Sequence, residues 1–277
     1  MKLNIYLESN VLDIHQHFGS NPIEFEESVD ISKDYIERTK IMDKFKIKLG
    51  AISPSFQYRK SGKLGMIEVN NQVSNYRRTY NHRFPLAFGI VEPLLGVKEC
   101  IEELNRITFE LKLNGVMFHH RFQGVFLNDK RMIPLLDTMK DLNLPVLIHV
   151  LAESHMESPM YLEPLVSKYE SIDFILLDAL SGLVQAEYLI NLMKKHNNVF
   201  IDTAAMISIG RLIDKVVENV GSERILFGTD LYVSPLIYNV PFSLIEIIES
   251  EYLSKKDKEN ILWKNAYNLF ALNVKSF

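Results

Sequence analysis

The chain has 277 residues, of which 47% are hydrophobic and 24% charged, with a net charge of −4 and a pI near 6.1. That acidity, with no basic footprint beyond isolated pairs such as Arg77-Arg78 and Lys255-Lys256, argues against nucleic acid as a partner. The single cysteine, Cys100, rules out an internal disulfide and suits a reducing cytoplasm. The lack of a leader pattern or of an apolar run near 18 residues argues against secretion and membrane spanning.

The first expected strand is residues 11–14, running into His15-Gln16-His17. Residues i and i+2 of a strand share a side, so both imidazoles can aim at one spot if the strand continues to His17. Two such imidazoles are a common start to a zinc-type site. An acidic loop over 19–30 follows, then a helix carrying Ile31, Tyr35, Met42 and Phe45 at helical spacing. Residues 49–52 read as the second strand. Residues 56–66 read as loop with Gly62 and Gly65 as breakers, and a less regular helix is expected over 69–80.

Strand three is expected at 84–91, and Val97, Ile101, Leu104, Thr108 and Leu111 form the stripe of the next helix. Strand four, 114–118, ends in His119, His120 and Arg121. Asp129 is a plausible N-cap for a helix carrying Met132, Leu135, Leu136 and Met139. Strand five, 145–148, ends in His149, and a loop with Glu153, His155 and Glu157 leads to a short helix near 162–169. Strand six, 174–177, ends in Asp178, and the helix after it carries Ala186, Leu189, Ile190 and Met193. Strand seven, 199–201, ends in Asp202, before a helix marked by Ile209, Leu212, Ile213, Val216 and Val220. Strand eight, 224–227, ends in Gly228-Thr229-Asp230. Two or three helices close the chain, one opened by the capping-box pattern Ser254-x-x-Asp257.

Near-continuous apolar strands alternating with amphipathic helices imply a parallel sheet covered on its faces. Eight such units over 1–277 predict a single α/β domain, a (β/α)8 TIM barrel with extra C-terminal helices. No Gly-x-Gly-x-x-Gly follows the first strand, which lowers the dinucleotide-binding alternative.

Chemistry in such a barrel sits at the carboxyl ends of the strands, here His15, His17, His119, His149, Asp178, Asp202 and Asp230. Ionisable groups at an apolar mouth are costly unless they pair or bind a cation. Three imidazoles and a carboxylate around one Zn²⁺ would meet that cost and leave a position open for water. Each residue also has a plainer reading. His149 could be a core histidine donating to a carbonyl, Asp230 a turn cap, and Asp178 and Asp202 N-caps or carboxylates supporting the site. His119 and His120 beside Arg121 could be a structural charge cluster. His82 and His196 precede strands at the opposite face and receive no role.

Taken together, Asp13-x-His15-x-His17, Gly115-Val-Met-Phe-His119 with Arg121-Phe-Gln-Gly124, Leu144-Pro-Val-Leu-Ile-His149, Arg224-Ile-Leu-Phe-Gly-Thr-Asp230 and Asn265-Ala266 with Leu269-Phe270 resemble the amidohydrolase superfamily. The similarity is to its amidohydrolase-related branch of metal-dependent hydrolases and decarboxylases. The resemblance implies that His15, His17, His149 and Asp230 hold one divalent metal, Zn²⁺ ahead of Mn²⁺ or Fe²⁺, with Asp230 also receiving the proton of an activated water. Two positions depart from the family pattern. No lysine follows strand four, which argues against a carbamylated-lysine binuclear centre, and Asp178 stands where the branch usually carries a histidine.

The function expected is a metal-dependent hydrolase acting on an ester, lactone or amide carbon of a small, anionic substrate. Asp178 is open to three readings, a working base, a fifth ligand or a sign of lost activity, and His119, Arg121 and His155 are candidate substrate contacts. Arg121 suggests an anionic group because guanidinium suits carboxylates. A non-oxidative decarboxylase of a carboxylated aromatic or enoic acid is the alternative, and a catalytically silent metal- or ligand-binding barrel is a third. Segments 19–30, 56–66 and 150–161 are expected to line the mouth, and a homodimer is a prior for barrels of this type.

Overall fold

The computed structural model describes residues 10–19, 30–55, 62–152, 154–206 and 210–272. The strand segments in order are β1 (Leu12–Asp13), β2 (Gln16–Phe18), β3 (Leu49–Pro54), β4 (Leu86–Ala87), β5 (Gly89–Ile90), β6 (Val116–Phe118), β7 (Val146–His149), β8 (Phe174–Leu177), β9 (Val199–Asp202), β10 (Ile225–Leu226) and β11 (Leu231–Tyr232). The ladders between them are parallel. β3 pairs with β1, β2 and β4, and β5 through β10 pair each with the next in sequence. β1 with β2, β4 with β5, and β10 with β11 each form one broken stave.

The ring closes where the last stave meets the first. The Ile14 N–H donates to the Phe227 carbonyl at 2.9 Å, and β11 pairs with β2 through Leu231↔Gln16 and Tyr232↔His17. At the other break, the Phe88 N–H donates to Ile52 O at 2.9 Å, so the third stave holds β3 on one side and β6 on the other. The fold is the expected (β/α)8 barrel.

Both faces of each stave are dry, which is why the strands read as unbroken apolar runs. Leu147, Ile175, Leu177, Leu226, Met117 and Phe88 point inward and form one buried cluster. Their neighbours Val146, Ile148, Phe174, Leu176, Ile225 and Phe227 face the helices in a second. Val199 in that outer set and Phe200 against the inner one follow the same period of two.

The first stave breaks this period. Leu12 and Ile14 belong to the inner cluster, so on a regular strand His15 and His17 would face outward. Leu12 pairs with Leu49 and Asp13 with Gly50, yet His17 pairs with Ser53. The segment from Asp13 to His17 therefore carries one residue more than Gly50 to Ser53, a bulge that inverts the pleat. That inversion brings both histidines to the barrel mouth.

The helices are α1 (Ile31–Lys44), α2 (Gly62–Thr79), α3 (Val97–Arg106), α4 (His120–Gln123), α5 (Met132–Asp141), α6 (Glu163–Lys168), α7 (Leu183–Lys195), α8 (Leu212–Val220), α9 (Phe242–Glu249), α10 (Lys255–Glu259) and α11 (Asn265–Leu269). The Asp30 side chain caps α1 by accepting from the Ser32 and Lys33 N–H groups. The expected loop over 56–66 is corrected in its second half, because α2 starts at Gly62 and runs through a buried Gly65. Burial of Met66, Val69, Val73 and Tyr76 on one face outweighs the helix cost of the two glycines. α3 continues through a single π turn, residues 107–111, to a left-handed Lys112. Asp129 is not the N-cap of α5 (that is Arg131); its carboxylate accepts from the Arg131 N–H at 2.9 Å in the turn before the helix. The Ser254–Asp257 capping box is formed at α10. Ile209, much of segment 19–30 and residues 56–61 lie outside the described residues. Ala266, Trp263, Leu269 and Phe270 of the final helices join the inner cluster. Among the described residues no helix is long and apolar enough to cross a membrane.

Glu92, just past β5, is 8% exposed and its Oε1 has no hydrogen-bond partner. Burial alone pushes its carboxyl up to about 8. A carboxyl whose folded pKa lies above its unfolded value stabilises the fold below the unfolded pKa and loses that contribution as pH rises through the folded one. Between about pH 4.5 and pH 8 the wild type should lose on the order of 3 kcal/mol through this group. Glu92→Gln should remove that slope, measured as urea midpoints across this range.

Candidate metal centre

The carboxyl ends of four staves bring His15, His17, His149, Asp178 and Asp230 together, all at most 6% exposed. Ring nitrogens of His15, His17 and His149 lie within 4.8 Å of one another, as do ligand atoms of His15, Asp178 and Asp230. His15 Nε2 and His17 Nε2 are 2.8 Å apart. Asp230 Oδ1 is 3.1 Å from His17 Nε2 and 3.5 Å from His15 Nε2.

The back of each ring decides what its front can do. His17 Nδ1 donates to Pro54 O at 2.7 Å, and His149 Nδ1 donates to Phe118 O at 3.0 Å. Carbonyls only accept, so in both rings the proton is on Nδ1 and Nε2 presents a lone pair. His15 Nδ1 donates to the Asp202 carboxylate at 2.7 Å, which sets the same tautomer. Three lone pairs and a carboxylate oxygen facing one point repel unless a cation lies among them. His149 Nε2 and Asp230 Oδ1 have no hydrogen-bond partner, which fits metal ligation with the Nδ1 side held by an outer layer of acceptors.

That outer layer is built from the strands themselves. Asp13 accepts from the His15 N–H, the Gln16 amide, and the Thr229 N–H and hydroxyl, tying the first stave to the loop before Asp230. Asp202 accepts from the Asp178 N–H at 2.9 Å on its second oxygen. Ring packing fixes orientation further: His119 stacks on His149 with centroids 3.8 Å apart, and Tyr232 stacks on His17 at 4.5 Å. Gly228 allows the closest approach. A Cβ there would come within 2.8 Å of Asp202 Oδ2 and 2.9 Å of His15 Cβ. Gly228→Ala should therefore displace the Asp202–His15 pair and weaken metal binding about 10–100-fold, read by equilibrium dialysis.

Electrostatics follow from dryness. Desolvation first, then neighbouring carboxylates, raises Asp178 and Asp230 well above the usual carboxylate range, and burial pushes Asp202 up to about 8. Desolvation also pulls His17 down to about 4 and His15, His119 and His149 well below the usual imidazole value. The imidazoles are thus neutral, as ligation requires, and a dication would reverse the preference of the carboxyls.

The expected substrate contacts fare differently. His119 joins the cluster. Arg121 acts on it electrostatically, through His149, Asp178 and Asp230 among others, but its guanidinium already donates to the buried Glu157 at 2.9 Å. His155 is exposed and lines a groove of about 860 Å³ between the loop after β7 and the start of α7, with Met160, Leu183 and Val184. None of the five clustered residues lines that groove, so its size does not make it the chemical site. A cavity of about 270 Å³ lies next to Asp230, bounded by Thr203, Met206, Thr229, Tyr238 and Phe242.

The sequence marks no site role for Glu157, Tyr232 or Tyr238, and reads Asp202 only as an N-cap or supporting carboxylate. Asp202 was visible as a strand-end carboxylate. Tyr238 gave no signal: it is 40% exposed, adopts φ 55°, and has its phenol pushed up by burial and then by Asp230 and Asp178.

A parallel barrel whose strand ends gather three lone-pair imidazoles and two carboxylates defines a metal-site barrel enzyme. The chain belongs to the amidohydrolase family, whose model matches residues 63–272, and it is a metal-dependent enzyme of that family. No protein of curated function matches it. Solved structures with this fold include a putative amidohydrolase from Staphylococcus aureus, 17% identical, covering 95% of this chain and 100% of that one with a TM-score of 0.74. A 5-carboxyvanillate decarboxylase from Novosphingobium aromaticivorans, complexed with manganese and a nitrobenzoic acid, is 14% identical, with 96% and 97% covered and a TM-score of 0.73. A 4-oxalomesaconate hydratase from Rhodopseudomonas palustris is 17% identical, with 94% and 95% covered and a TM-score of 0.70.

Proposed function

We propose that this protein is a hydrolase of a small ester, lactone or amide, with His15, His17, His149 and Asp230 as ligands of one divalent cation. The observation that supports this best is the convergence of three Nε2 lone pairs, each backed by an acceptor on Nδ1, on the unpartnered oxygen of Asp230. A cation held there would acidify a water and polarise the substrate carbonyl.

The chain supplies the rest. Asp230 takes the proton of the attacking water and passes it to the leaving oxygen or nitrogen as the C–O or C–N bond breaks. Asp13, through the Thr229 N–H and hydroxyl, holds the turn that presents Asp230. Arg121 offsets the negative charge of the two aspartates. Because Glu157 already engages that guanidinium, a neutral reacting group is favoured over a substrate carboxylate placed beside Asp178 and Asp230.

Non-oxidative decarboxylation of a carboxylated aromatic acid is the second reading, favoured by the manganese-bound decarboxylase of the same fold. The test is elemental mass spectrometry of chelator-free, tag-free protein, followed by a panel of esters, lactones, amides and carboxylated aromatics. About one divalent ion per chain is expected, lost in the His15→Ala/His17→Ala double variant, with turnover among the esters, lactones or amides. Release of CO₂ from a carboxylated aromatic without hydrolysis of the others would overturn the hydrolase in favour of the decarboxylase.

A further inference from the structure

Asp178 has one oxygen, Oδ1, buried and without a hydrogen-bond partner, on a residue only 2% exposed. Strand parity does not put it there. Ile175 and Leu177 point inward, so a regular strand would turn Asp178 outward. Instead the backbone enters the left-handed region at φ 58°, and Asp230, across the mouth, does the same at φ 60°. Each such non-glycine conformation is strained and persists only where surrounding contacts impose it.

The contact that imposes it here is Asp202. One Asp202 oxygen accepts from the Asp178 N–H at 2.9 Å and the other from His15 Nδ1 at 2.7 Å. A single buried carboxylate therefore sets the placement of both Asp178 and His15. Ligand atoms of His15, Asp178 and Asp230 then fall within 4.8 Å of one another, the same span kept by the three imidazole nitrogens. Two strained carboxylates with unpartnered oxygens, facing an imidazole lone pair in a water-poor mouth, have nothing to donate to each other when ionised. A cation satisfies all of them at once; a substrate hydrogen-bond donor would satisfy one.

Resting on the metal-site reading above, we propose that Asp178 is a fifth protein ligand rather than a free base. The centre is then His₃Asp₂, and its selectivity shifts from Zn²⁺ toward Mn²⁺. Two carboxylates make the loaded centre neutral and add a hard oxygen donor, which suits Mn²⁺. Five protein ligands also exceed the three or four that Zn²⁺ uses in most catalytic and structural sites. Zn²⁺ remains the tighter binder in absolute terms, as the divalent series dictates, so the signature is a change in the ratio of the two affinities.

The experiment titrates chelator-stripped protein separately with MnCl₂ and ZnCl₂ by calorimetry, with Mn²⁺ also followed by loss of the free-ion EPR signal. Wild type is compared with Asp178→Asn and Asp178→His, and far-UV circular dichroism of each metal-free variant verifies folding. Asp178→Asn should weaken Mn²⁺ by about 100-fold and Zn²⁺ by about 10-fold or less, and Asp178→His should widen the preference for Zn²⁺ further. Equal losses for the two metals, or Mn²⁺ affinity within about 2-fold of wild type in Asp178→Asn, would overturn the assignment while leaving the other four ligands standing. A folded wild type that takes up neither metal overturns this assignment together with the reading on which it rests.

Discussion

Asp230→Asn should lower kcat by about 10³-fold on the ester, lactone or amide that the wild type turns over, with KM changed far less. The amide keeps the size of the carboxylate and can still offer one oxygen to a bound cation, but it cannot take up the proton of the attacking water. General-base contributions fall between about 10² and 10⁴, and loss of a charged ligand places this variant above the lower end. The left-handed backbone at Asp230, φ 60°, suits asparagine as well as aspartate, so the fold should persist. Steady-state kinetics beside a thermal melt would separate the two effects. A variant retaining kcat within a factor of about ten would remove Asp230 from the proton path.

Arg38→Met should destabilise the fold by about 3–5 kcal/mol, the usual penalty for leaving one member of a buried ion pair alone. Arg38 on α1 is fully buried. It forms a two-point pair with Asp34 at 2.8 Å on each arm, and the Tyr76 hydroxyl donates to the same carboxylate at 2.9 Å. The guanidinium then reaches behind the site, donating to His17 O at 2.7 Å and Leu231 O at 3.2 Å. Those carbonyls belong to β2 and β11, the two segments that carry His17 and follow Asp230. Methionine matches the volume but strands the Asp34 carboxylate and frees both carbonyls. Urea unfolding should therefore show a lower midpoint at an unchanged slope. The Arg38→Met/Asp34→Leu double variant should recover part of the loss, since removing both charges avoids the stranded carboxylate.

Much of this protein was legible in its sequence because the signals were local. Apolar runs bounded by polar strand ends located eight staves, and residues 174–177 were placed to the residue at β8 because Asp173 and Asp178 bracket a fully apolar run. His149 could be assigned from parity alone: it lies two residues beyond the inward Leu147 on an unbroken strand. Asp230 was legible as a carboxylate after a Gly-Thr turn at the end of stave eight. The surroundings of Arg121 and His155 were not readable from the sequence. Pairing with Glu157 across 36 residues and exposure of His155 on a separate groove are both decided at long range.

What sequence alone determined is the barrel of alternating strands and helices and the pool of imidazoles and carboxylates at strand ends, because period, turn chemistry and composition act over a few residues. Which of those side chains converge was settled only in three dimensions. The bulge between Asp13 and His17 reverses the inward side of the first stave, and left-handed turns redirect Asp178 and Asp230. Neither is encoded in a periodicity. Both arise because register against neighbouring strands, and buried acceptors such as Asp202, Pro54 O and Phe118 O, impose conformations that the local chain would not choose.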